Sequence, residues 1–370
     1  MPRTITERRR GAALLDVVVA TGCLSLAAYF LVAGSVGAVE SSRINACRAN
    51  LKNLSTAVSL YDGRMGRVPG YMNVLVDQQG NPFRDPDTNE SVPVSWAVAL
   101  LTDLDHTNLF EQWRSSSGVA PGSKLKVYVE HFVCPNDERR TDRTVAPLSY
   151  VVNTGMPDLP EAILRKDPDG KGGLGAIGQP RDHQANGMFF DNYSDDKLIK
   201  PNVRDRGPQV VMRLDVLRDP KDKTLLIAEN LDAVSYVFDA KQKPASAEIG
   251  WGSVWAPGKS EPNTDEATKQ KSGAIRLEPR DDVSAPNASI DGNAKPAGYK
   301  SCRPSSAHTG GFNAAFAANN VTFVKDTISY YIYARLMTSD DRMARLPGTN
   351  TYVFPELKDQ SPATDFELDP

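Results

Sequence analysis

Residues 8–39 read RRRGAALLDVVVATGCLSLAAYFLVAGSVGAV, and this stretch decides how the chain is organised. From Val17 to Val39 there are 23 residues without a charge. About 20 apolar residues let a helix cross a bilayer core. The first ten residues hold four arginines and one glutamate. A basic flank ahead of a span keeps the N-terminus cytoplasmic and places the following chain outside. A signal-peptide core is ~7–15 residues long and ends in a small-x-small cleavage site. The present run is longer, and no such site closes it.

The helical pattern continues past the run. Ile44, Cys47, Leu51, Leu54, Val58 and Tyr61 form a narrow apolar stripe, opposed by Arg43, Arg48, Lys52 and Asn53. Spacings of three and four residues put one face of a helix on a core. The spacing predicts one helix from about Ala12 to Tyr61, its first half in lipid and its second half a spine for the rest of the protein. Asp16 sits near the start of the apolar run. A carboxylate at mid-membrane costs ~2.5–3.5 kcal/mol, less near the interface, so it calls for a partner.

The remainder is ordinary globular sequence. The chain has 370 residues, 24% charged and 40% hydrophobic, with a net charge of -3. That balance argues against a nucleic-acid protein, which needs a concentrated basic surface. Glycine (27) and proline (26) concentrate in the middle and C-terminal thirds, favouring short strands joined by turns.

The N-terminal residues RRRGAALLDVVVATGCLSLAAYFLVAG resemble a type IV prepilin, the class shared with type II secretion pseudopilins and marked by an N-terminal methylation motif. The resemblance implies a basic leader ending at Gly11, a mature chain beginning at Ala12, and Asp16 as the fifth mature residue. It further implies cleavage after Gly11 by a membrane prepilin peptidase, methylation of the new amine, and pairing of the Asp16 carboxylate with an N-terminal amine during assembly. The family usually has Phe and Glu where this chain has Ala12 and Asp16.

Stretches beyond the span resemble a prepilin-like family whose head domain has unknown function and is much expanded in planctomycete-type bacteria. They are CRANLKNLSTAVSLYDGRMGRVPGY, PVSWAVALLTDLDHTNLFEQW, HFVCPND, LSYVVNTG, NGMFFDN, VVMRLDVLRDPKDKTLLIAEN and SSAHTGGFNAAFAANNVTFVKDTIS. The resemblance implies strands at LSYVVNTG and NGMFFDN, a strand–turn–strand ending in the glutamate of LLIAEN, and a C-terminal hairpin. The family's C-terminal signature is His, nine residues, then Asp-Gly. Counted from His308, with Gly310 and Gly311 following it, those last two positions are Ala318 and Asn319. Asn319–Asn320 can still supply a left-handed turn residue, because asparagine tolerates positive φ. His308 reads as a loop histidine bonded to backbone ahead of an edge strand, with a ligand or surface contact as the other reading.

Little in the chain points to catalysis. His106, His131, His183 and His308 are scattered, and HExxH, C-x-x-C, a Walker A loop and G-x-S-x-G do not occur. Asp167 and Asp169 begin a stretch that mimics a calcium loop, but Lys171 stands where an oxygen ligand is needed. No cofactor or metal is expected. Cys23 lies in the apolar run. Cys47, Cys134 and Cys302 would face an oxidising compartment, where disulfides persist. One bridge and one leftover thiol are allowed: Cys47, on the stripe, with Cys134, at the end of an apolar strand. Three buried thiols are the alternative. Trp251 and Trp255 form an aromatic pair, either buried under a loop or exposed to a ligand.

The expected architecture is α+β and pilin-like: a long N-terminal transmembrane and spine helix packed on an antiparallel β-sheet head with long loops. The expected division is a leader at 1–11, a transmembrane helix at 12–39, a spine helix at 40–62, a β-rich extracytoplasmic head at 63–345 and a loosely held polar tail at 346–370. Loop-rich insertions are expected at about 157–185 and 256–300. The expected function is a non-enzymatic envelope subunit, a pilin-like or pseudopilin-like protein, single-pass in the inner membrane, with the cell surface as a further location after processing. Its partners would be the membrane, a prepilin peptidase, and itself or other pilin-like subunits. The alternative is a permanently anchored binding module for polysaccharide or another surface protein.

Overall fold

The structure, a computed structural model, describes residues 6–76, 81–84, 91–115, 126–137, 140, 146–156, 183–193, 210–237, 248, 250–255, 302–308, 310–325, 328, 330–345 and 352–358. Between residues 6 and 40 it describes side chains only at 17–26. The 167–175 loop and the insertion at 256–300 lie outside the described residues, as does 157–182. The chain divides into two compact units, Met1–Ala46 and Cys47–Pro370.

Helix α1 spans Thr6–Met65. In the first unit, Val17, Val18, Val19, Leu24 and Leu26 are all exposed. The hydroxyls between them turn back into the helix: Thr21 Oγ1 donates to the Val17 carbonyl at 2.6 Å and Ser25 Oγ to the Thr21 carbonyl at 2.8 Å. No helix among the described residues is long and apolar enough to cross a membrane.

In the second unit the α1 stripe goes into the core. Cys47, Leu51, Leu54, Ala57, Val58 and Tyr61 are all buried. Fully burying a leucine or valine side chain contributes about 1.5–3 kcal/mol, so Leu51, Leu54 and Val58 anchor this part of α1 firmly. The helix stops at Gly66, which adopts φ +69° and donates its N–H to the Asp62 carbonyl at 2.8 Å. A left-handed glycine just past the last turn is the usual way to satisfy an orphan carbonyl.

Strands β1 (Met72–Val74) and β2 (Pro93–Ser95) form a small antiparallel pair, followed by the short helix α2 (Trp96–Ala99) and then α3 (Thr107–Ser115). The main sheet contains β3 (Tyr150–Gly155), β4 (Leu225–Glu229), β5 (Gly252–Val254), β6 (Gly311–Phe316) and β7 (Val321–Lys325), in the order β5-β3-β4-β6-β7. Helix α4 (Tyr330–Met337) follows. The β3–β4, β4–β6 and β6–β7 pairs are antiparallel. The sheet is not antiparallel throughout, since β3 and β5 run parallel. Almost a hundred residues separate β3 from β5 in sequence, and parallel neighbours need a long crossover rather than a hairpin.

The sheet is covered on both faces. Tyr150, Val152, Leu226, Ile227 and Ala315 join the core that holds the α1 stripe. Leu225, Ala228, Phe312, Ala314 and Phe316 join a second core with Trp255, Tyr333, Leu336, Met337 and Phe354. Strands buried on both faces show a near-continuous apolar run, as LLIA and FNAAF do, instead of strict alternation. Gly311 is needed where β6 meets β7: a Cβ there would lie 2.1 Å from the Val324 carbonyl oxygen.

Four expectations are corrected. NGMFFDN is extended but forms no strand; it lies against β3, with the Phe189 N–H donating to the Asn153 carbonyl at 2.8 Å. In VVMRLD, the first limb of the strand–turn–strand, residues 210–214 are not strand. The apolar residues ahead of Cys134 form a 3₁₀ turn at Glu130–Phe132 rather than a strand, because Asn50 of α1 donates to the carbonyls of Glu130 and Val133 and holds the turn closed. The tail is not uniformly loose: Phe354 and Leu357 are buried, and Phe354 stacks on Trp255 at 5.6 Å. Two apolar residues, Phe354 and Leu357, dock residues 352–358.

Candidate functional site

Four sequence stretches meet under the start of the buried part of α1. They are CRANL, HFVCPND, the end of LLIAEN and SSAHTGG. Cys47 and Cys134 are disulfide-bonded, with Cα atoms 4.9 Å apart. Beside them, His308 Nε2 lies 3.1 Å from Glu229 Oε1 and 3.7 Å from Cys134 Sγ. His308 Nδ1 lies 3.0 Å from Asn136 Nδ2. All four central residues are buried.

An ionised Glu229 can only accept, so His308 Nε2 carries the proton and Nδ1 accepts from the Asn136 amide. The other Glu229 oxygen accepts from the Asn313 backbone N–H at 2.7 Å and its side-chain amide at 3.2 Å. Asn313 Oδ1 in turn accepts from Arg48 Nε of α1 at 3.1 Å. A polar chain therefore runs from α1 through β6 to β4 and the His308 loop. Buried polar networks of this kind specify one arrangement when every member is satisfied.

Where the sequence suggests backbone partners for His308, its ring meets the side chains of Glu229, Asn136 and Cys134. Ser306 takes the backbone role, accepting from the His308 N–H at 3.0 Å and donating to the Gly311 carbonyl at 2.6 Å. Gly310 has φ +84° and Gly311 opens β6. Asn319, at φ +61°, makes the hairpin turn. Its side chain exchanges hydrogen bonds with Ser59 at 3.2 Å, and its carbonyl accepts from Lys52. The turn asparagine thus also ties the hairpin to α1. Gly11, Ala12 and Asp16 have helical backbone, and the side chains of Ala12 and Asp16 lie outside those described.

Cys302 is buried and takes no part in the disulfide; burial pushes its thiol well above the usual range, so it stays protonated. Trp251 and Trp255 are both buried, donating to the carbonyls of Ser235 and Asn186. They offer no exposed aromatic face.

Sequence reasoning missed two further groups. Arg140 is fully buried; it pairs with Asp137 at 2.8 Å and donates to the carbonyls of Leu231 and Ala233, each at 2.8 Å. The second group is Asp219, Asp340 and Asp341, whose carboxylates lie together. Asp219 Oδ2 accepts from Thr338 Oγ1 at 3.2 Å and from the Asp341 N–H at 2.8 Å. Its Oδ1 has no hydrogen-bond partner among the described residues. Burial, and then the neighbouring Asp341 charge, raise the Asp219 carboxyl to about 8 from an unfolded value of 3.8.

This group sets a pH dependence. A carboxyl raised on folding stays protonated in the folded protein while the unfolded chain ionises. Its contribution is whole below pH 3.8 and is lost as pH rises through 8. Asp219→Asn keeps an acceptor for Thr338 and Asp341 and carries no charge. We expect it to stabilise the protein at pH 8 by about 1–3 kcal/mol and to flatten melting temperature against pH between pH 5 and 8. Parallel curves for variant and wild type would show that Asp219 does not set the slope.

The geometry defines a mixed α/β head docked on a helix and locked by a buried disulfide, glutamate and histidine. The chain matches the model of the family described as Protein of unknown function (DUF1559) over residues 38–330, and it belongs to that family. No curated protein and no solved structure matches the chain.

Proposed function

We propose that this protein is a non-enzymatic structural component of the cell envelope: a pilin-like or pseudopilin-like subunit, cut after Gly11 by a prepilin peptidase and held in the inner membrane by residues 12–39. Its N-terminus is cytoplasmic and its head extracytoplasmic. The observation that carries this reading is in α1. Its described apolar side chains between Val17 and Leu26 are exposed, and the hydroxyls among them bond back to the helix. A helix surface of that kind suits lipid or a neighbouring apolar helix, where every polar group must be satisfied internally.

The Cys47–Cys134 disulfide supports an oxidising location for the head. A structural role agrees with the burial of His308 and Glu229, which lie behind other groups rather than in an open cleft. The alternative of a binding module draws no support from Trp251 and Trp255, which are spent on the core.

The test is the mass of the intact N-terminus in the membrane fraction. We expect a chain beginning at Ala12, methylated on its amine. A chain that keeps MPRTITERRRG would rule out processing and leave a permanent anchor, which is the binding-module architecture.

A further inference from the structure

Cys47, Cys134, Glu229 and His308 each offer one ligand atom, and these atoms all lie within 4.8 Å of one another. Two thiolates, an imidazole and a carboxylate match a four-coordinate zinc set. Zinc bonds of about 2.0–2.3 Å at tetrahedral angles place neighbouring ligand atoms roughly 3.4–3.8 Å apart. Two of the edges already stand near that range: Cys134 Sγ to His308 Nε2 is 3.7 Å, and His308 Nε2 to Glu229 Oε1 is 3.1 Å. The two sulfurs, bonded to each other in the folded head, have to separate, and the remaining edges lie within 4.8 Å.

The surroundings suit a metal as well. His308 Nδ1 faces the Asn136 side chain, which can orient the ring. The second Glu229 oxygen is held by Asn313, leaving Oε1 to point at the histidine. Arg48, bonded to Asn313, supplies positive charge next to a site that would carry a net negative one.

We propose that the reduced head binds one zinc ion through Cys47, Cys134, His308 and Glu229, so that disulfide and metal are mutually exclusive occupants of one buried site. The exchange balances. A dithiol gives two electrons and two protons to the Cys47–Cys134 bond and becomes a disulfide, leaving two thiols. Zinc then displaces both thiol protons to solvent. The proton on His308 Nε2 leaves while Nδ1 takes one up, and Nδ1–H donates to the Asn136 amide oxygen in place of the present bond. The site holds in either location of the head and does not depend on processing at Gly11.

The experiment uses the full chain in detergent, reduced with a trialkylphosphine without oxygen and titrated with cobalt(II) as a spectroscopic stand-in for zinc. The expected result is one cobalt per reduced chain, with thiolate-to-cobalt charge-transfer absorption and tetrahedral d–d bands that zinc abolishes. The untreated disulfide form should take up none. Asn136→Ala, which touches no ligand atom directly bonded to metal, should weaken binding about 10–100-fold, and Cys302→Ser should leave it unchanged. Equal uptake by the oxidised form, no uptake by the folded reduced form, or undiminished binding by the Cys47→Ser/Cys134→Ser double variant would overturn the proposal.

Discussion

Replacing Cys47 and Cys134 together by alanine is expected to lower the stability of the protein by about 4 kcal/mol. The bridge joins residues 87 apart in sequence. Cross-linking restricts the unfolded chain most when the closed loop is long: about 3 kcal/mol for a 15-residue loop and about 4.7 kcal/mol for a 100-residue one. Chemical denaturation of the full chain in detergent measures the effect. Wild-type protein reduced in the absence of metal should show the same loss, since it lacks the same link. A midpoint unchanged in both would mean that the polar chain through Arg48, Asn313 and Glu229 holds α1 to the head unaided.

The second large effect is at Arg140. Changing it to methionine keeps most of the volume but removes the Arg140 partner of the buried Asp137 and these donors to the carbonyls of Leu231 and Ala233. Breaking a buried pair from one side costs about 3–5 kcal/mol, because a charge is stranded away from water. The double change Asp137→Leu/Arg140→Met removes both charges and should recover part of that loss. Arg140→Lys should not rescue the site fully, since an ammonium cannot span two carbonyls and a carboxylate as a planar fork does. Denaturation midpoints for the three variants decide it; a double variant no more stable than Arg140→Met would place the energy in the carbonyl bonds instead of the ion pair.

What the sequence made readable was local. The stripe through Cys47, Leu51, Leu54, Val58 and Tyr61 shows in one dimension, because a helix repeats every 3.6 residues, and these side chains are buried in the structure. The Asn319 turn was readable for a similar reason: few residues accept positive φ. The site was readable only in pieces. Cys47, Cys134 and His308 stood out singly, but Glu229 looked like the end of a strand, and its contact with His308 spans 79 residues. No spacing rule reports a contact made by pairing β4 with β6. The same holds for His106 and His131, scattered in sequence yet with ring nitrogens 3.4 Å apart. The second core escaped because YYIYARLM and VFPEL look unremarkable until the far face of the sheet needs a cover.

Cys47 is also the first residue of the compact unit that runs to Pro370. Any pull delivered along the N-terminal helix therefore meets a covalent bond before it reaches the buried stripe from Leu51 to Tyr61. Tension passes through sulfur to residue 134 and into the body of the head, while the stripe from Leu51 to Tyr61 is spared from being peeled off one turn at a time. The bridge acts as a mechanical strain relief, and a protein that loses it should fail under force by unzipping from the Cys47 end of the stripe.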